Sequence, residues 1–218
     1  MNVQVRTLSN NIVLRPVIEL SPEDLGRPES SSSKVVSGEE WLSCLDAAGI
    51  SASREVVEGS WLVYAEDIVV ARALRTVARA HLGSPDGPGL MSALSESALQ
   101  GGFVLSDGDE VVLVPGCCGH LGHIASWRRA VQHRGSDRLR MQIGHPEVSV
   151  TYEGGLLCLH EKFDEEHQNK PKTLRVAPHA LAAAVESASA RVAELMTRLR
   201  GATRSQRRQP PLNGMTAP

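Results

Sequence analysis

Residues 101–114 read Gly101-Gly102-Phe103-Val104-Leu105-Ser106-Asp107-Gly108-Asp109-Glu110-Val111-Val112-Leu113-Val114. Two apolar, β-branched runs flank Asp107-Gly108, and glycine there supplies the positive φ that a tight hairpin turn requires. The loop 115–122 follows, then a stretch over 124–133 with helical spacing, with Trp127 expected to wedge that helix against a sheet, its indole N–H at the rim. Three further strand candidates lie at 138–143, 148–152 and 156–160, the last two joined by the turn Gly154-Gly155. A hairpin, a helix and a meander in succession predict an α+β fold: an antiparallel or mixed sheet with flanking helices.

Towards the N-terminus, residues 3–8 and 12–20 read as extended segments joined by the turn-prone Ser9-Asn10-Asn11. Pro16 cannot donate to a ladder, so the second segment is expected at a sheet edge. Residues 21–37 collect prolines, glycine and the run Ser30-Ser31-Ser32-Ser33, a linker composition. Ser37 is placed to cap a helix whose first turn contains Glu40 and whose apolar face is Trp41, Leu42, Leu45 and Ala48, with Gly49 ending it. A short extended piece surrounds Trp61 and Tyr64, a second helix is predicted over 67–82, and a third, short one over 90–100. The expected organisation is an N-terminal arm (1–20), a linker (21–37), one α+β domain (38–200) and a disordered basic tail (201–218).

The long C-terminal helix is expected over 180–200. Leu181, Val185, Ala188, Val192, Leu195 and Leu199 recur at spacings of four and three. Such a stripe serves either to dock the helix on its own sheet or to form a homodimer seam.

Composition sets limits on function. The 218 residues carry 23 Lys+Arg against 25 Asp+Glu, a net charge of −2, with 41% hydrophobic and only 3% aromatic residues. That balance argues against a basic nucleic-acid binder. No apolar run approaches the roughly 20 residues of a membrane span, and the N-terminus lacks the layout of a secretory signal. A cytoplasmic protein with reduced thiols is expected. There is no P-loop, no GxGxxG in a βαβ setting, no GxSxG and no HExxH, so the sequence names no reaction.

Cysteine and histidine concentrate in Gly116-Cys117-Cys118-Gly119-His120-Leu121-Gly122-His123. Thiols and imidazoles are the ligands zinc prefers, and Cys158 and His160, on one face of a strand, are distant candidates to complete a set with Cys117, Cys118, His120 and His123. Against a metal site, adjacent side chains point apart in extended backbone. A thiol nucleophile, Cys118 activated by His120 or His160, is the second chemical reading. Packing of the two cysteines as small buried groups is the third. His145 is expected to make a polar contact at a turn, and the acidic run Glu161, Asp164, Glu165, Glu166 to form a solvated loop or a patch that faces a partner.

The succession Gly101 to Leu105, a strand ending in Pro115-Gly116-Cys117-Cys118, then Leu121-Gly122 and Trp127, followed by Ile143-Gly144-His145-Pro146-Glu147-Val148, resembles small bacterial proteins related to SUKH-type immunity proteins. The resemblance spans residues 100–161. It implies an α+β fold and a non-enzymatic module that binds and neutralises a protein toxin without a cofactor. The partner surface expected on that basis combines Gly119 and His120 with Glu161, Asp164, Glu165 and Glu166. A metal- or thiol-dependent enzyme centred on loop 117–123, with zinc as its cofactor, is the alternative.

Overall fold

A computed structural model describes residues 3–26, 37–83, 95–145, 147–162 and 171–206, with the backbone alone over 203–206. Among the described residues nine strands form two sheets. The first, mixed sheet runs β1 (Gln4–Thr7), β9 (Lys172–Val176), β8 (Leu156–Glu161), β7 (Val148–Glu153), β6 (Leu139–Met141), with β1 parallel to β9 and every other pair antiparallel. The second is antiparallel in the order β3 (Leu62–Tyr64), β2 (Ile12–Glu19), β4 (Gly101–Asp107), β5 (Glu110–Leu113). The helices are α1 (Gly38–Ala47), α2 (Ala71–Leu82), α3 (Ile124–Gln132) and the long C-terminal α4 (Pro178–Gln206). The α+β class and the long last helix are as the sequence pattern predicts. The hairpin and the meander, however, fall in different sheets rather than one.

The first twenty residues are not an arm outside the domain. β1 closes an edge of the mixed sheet, and β2 lies between β3 and β4 with Leu14, Val17 and Ile18 fully buried. Pro16 is therefore inside a sheet rather than on an edge strand. It is tolerated because the β2–β3 pairing stops at Val17↔Tyr64, leaving Pro16 opposite Phe103 of β4 only.

Ser37 caps α1 as the sequence suggests, its hydroxyl accepting from the Glu40 N–H at 3.3 Å, and Gly49 ends the helix at φ +80°. The helix expected over 67–82 begins at Ala71, preceded by a 3₁₀ turn, Ala65–Asp67. In place of a helix over 90–100, residues 95–100 hold the 3₁₀ turn Glu96–Ala98 and a bridge from Gln100 to His120; residues 84–94 lie outside the described set. β9 has no counterpart in the sequence-derived expectations, although Lys172-Thr173-Leu174-Arg175-Val176 alternates in the strand manner, with Leu174 and Val176 on the core face.

One large core joins the inner faces of both sheets to the helices, and α4 packs against β2, α2 and α3. Leu181, Ala188, Leu195 and Leu199 are each 0% exposed. The stripe is consumed within the chain, so it does not supply the homodimer seam that its spacing also allowed. Trp127 is buried rather than at a rim, Trp41 is buried on the apolar face of α1, and Trp61 is exposed. Among the described residues no helix is long and apolar enough to cross a membrane.

Candidate metal centre

The loop after β5 and the loop after β6 meet at one elbow. The His145 N–H donates to the Cys117 carbonyl at 3.2 Å, holding the two segments together. Gly144 sits at φ +88°, and a Cβ there would lie 2.7 Å from the same carbonyl oxygen and 3.1 Å from the Gly119 nitrogen. Gly119 is equally constrained on its other side. Its carbonyl accepts from the Gly101 N–H at 3.0 Å, and a Cβ on Gly119 would stand 2.2 Å from the Gly101 oxygen. The glycines are thus needed for close backbone approach.

Between them Cys118 adopts φ +63°, the one described non-glycine residue in the left-handed region. That conformation costs on the order of 1–2 kcal/mol for a residue with a Cβ. It also removes the objection to adjacent ligands, because the backbone here is not extended. The thiols of Cys117 and Cys118 and the imidazole of His145 bring their ligand atoms within 4.8 Å of one another, all on exposed residues. Cys117 Sγ lies 3.4 Å from His145 Nδ1. No disulfide joins the described cysteines.

The remaining sequence-derived candidates fall elsewhere. His120 and His123 stack on each other, ring centroids 3.7 Å apart, and the His120 N–H donates to His123 Nδ1 at 3.3 Å. Burial, with the neighbouring His120 adding to it, lowers the His123 pKa, so its ring is neutral and engaged in shaping the loop. His123 still lines the cleft beside Cys118, whereas the group with three ligand atoms includes neither histidine. Cys158 and His160 share the face of the mixed sheet turned away from the core. Cys158 is 2% exposed, and His160 is held by Thr151 Oγ1 at 2.9 Å and Thr173 Oγ1 at 3.1 Å. Neither joins the elbow, and His145 takes the place that they and the loop histidines were expected to fill.

The expected partner surface fares similarly. Gly119 is buried in backbone contacts, and Glu161 is 7% exposed and paired with Lys172 at 2.9 Å. His120 is half-buried, and Asp164, Glu165 and Glu166 lie outside the described residues.

Beside the elbow a cleft of about 610 Å³ opens between α3, β6 and the start of β7. Its walls include Cys118, His123, Arg129, Arg140, His145 and Lys162. The fold and site define an α+β protein with a thiol–imidazole group at the mouth of a cleft. Comparison with protein-family models, with curated proteins and with solved structures finds no match.

Proposed function

We propose that this chain binds a soft divalent metal ion, zinc in the first instance, through Cys117, Cys118 and His145. The convergence of two thiols and one imidazole within 4.8 Å carries the reading. Two sulfurs and one nitrogen are a donor set suited to zinc, and three protein ligands leave a fourth position for water or another molecule. The rigid elbow supports it: thiols held together before metal arrives spare the ion the cost of organising the loop. A left-handed Cys118 is the kind of local strain that persists when the surrounding structure imposes it.

The toxin-binding reading draws on Gly119 and Glu161, which are buried, on the half-buried His120, and on residues outside the described set, so we favour the metal reading of the two. Its test is elemental mass spectrometry on the purified chain and its variants. About one zinc per chain is expected, lost in Cys118→Ser and His145→Gln and kept in Cys158→Ala and His120→Gln. A wild-type chain without stoichiometric metal after zinc loading and dialysis would reject it.

A further inference from the structure

Among the described residues the cleft beside the elbow is lined by three cations and one carboxylate: Arg129 of α3, Arg140 of β6, Lys162 after β8, and Glu147. Arg140 Nε lies 2.6 Å from Glu147 Oε1 and Lys162 Nζ lies 2.5 Å from Oε2, so one carboxylate is divided between two cations. Arg129 donates to Ser126 Oγ at 3.0 Å and has no carboxylate partner among the described residues. Two positive charges are therefore left over in a concave site whose volume suits a small molecule rather than a polymer. Guanidinium groups recognise planar and tetrahedral oxyanions through paired N–H donors.

We propose that this cleft takes a small, doubly charged oxyanion, a phosphate- or carboxylate-bearing molecule, held by Arg129, Arg140 and Lys162. Its placement next to the open coordination position rests on the metal reading. The anion site itself stands on the cations alone.

The test is calorimetric titration of the full chain, both chelator-treated and zinc-loaded, with inorganic phosphate and separately with malonate. Saturable binding in both metal states is expected, weakened by added KCl. Arg129→Gln and Arg140→Gln should each weaken it about fivefold and Glu147→Gln should tighten it about fivefold, the size of one charge contact in water. Tighter binding of phosphate or of malonate identifies the source of the oxyanion. Absence of saturable binding overturns the proposal, as does a shift of the same sign in Arg140→Gln and Glu147→Gln. Anion binding that needs zinc and ignores all three charge variants also overturns it, while leaving the metal reading intact. Charge-dependent binding in a chain that takes up no zinc upholds the anion site and removes the metal reading.

Discussion

The main-chain N–H of His145 donates to the carbonyl oxygen of Cys117 at 3.2 Å, across 28 residues of sequence. That bond places an imidazole from the β6–β7 loop beside two thiols from the loop after β5. The same approach is possible only because Gly144 has no side chain. Chain geometry rather than sequence spacing thus assembles the group.

Gly144→Ala should therefore disturb both stability and metal retention. A Cβ 2.7 Å from the Cys117 oxygen forces the two loops apart, and φ +88° adds strain. A loss of about 2–3 kcal/mol is expected in urea unfolding. Gly155→Ala is the control: its φ is +83° with nothing within 4 Å, so it carries the strain without the clash. It should cost about 1 kcal/mol and leave zinc content unchanged.

Cys118→Gly is predicted to move stability and function in opposite directions. Glycine relieves the left-handed strain at φ +63°, a gain that exceeds its added unfolded-state entropy, and should raise stability by up to about 1 kcal/mol. The same change removes a thiol and should abolish stoichiometric zinc. Thermal unfolding and metal content on one preparation check both halves.

Leu195→Ala should cost about 2–5 kcal/mol, because Leu195 is 0% exposed within its own chain. The melting temperature of this variant is expected to be independent of protein concentration. A concentration-dependent transition would return the stripe of α4 to the role of a dimer seam.

His160 gives a signed pH dependence. Thr151 Oγ1 donates to Glu153 Oε1 at 2.8 Å and so accepts from His160 Nε2–H, leaving Nδ1 to accept from Thr173. Burial, then the charge of Arg138, lowers the ring's pKa from 6.5, with Glu153 opposing. The unfolded chain therefore binds more protons near that value. The stabilisation is complete above about pH 6.5 and is lost as pH falls through the lower folded value. Urea midpoints between pH 7.5 and 5 should fall in the wild type and fall less in His160→Gln. Some slope should survive in the variant, because His81 and His123 also have lowered values.

Much of the fold was legible in local pattern. The Ser37 cap and the 3.6-residue stripe of α4 are set by neighbours in sequence and form where their residues indicate, and the hairpin turn forms one residue late, at Gly108-Asp109, with Asp107 paired to Glu110. Strand placement was not. Pro16 suggests an edge by a rule about N–H donation, yet β3 is short enough to leave that position unpaired on one side. β9 is only five residues long, and its parallel pairing with β1 joins opposite ends of the chain.

For the site, the two cysteines were visible as a cluster and their partner was not. His145 is brought in by a long-range backbone contact, and Cys118 points towards it through a conformation that propensity does not anticipate. His120 and His123 were the nearer imidazoles in sequence, but their stacking and the bond to His123 Nδ1 commit them to the loop itself.

Cobalt(II) titration, followed by thiolate-to-metal charge-transfer absorbance, tests the metal centre most directly. The wild type and Cys158→Ala should both saturate at one equivalent, whereas His145→Gln and Cys118→Ser should lose that band or bind far more weakly. A wild-type chain without the band, or a band that disappears in Cys158→Ala and persists in His145→Gln, would contradict the assignment.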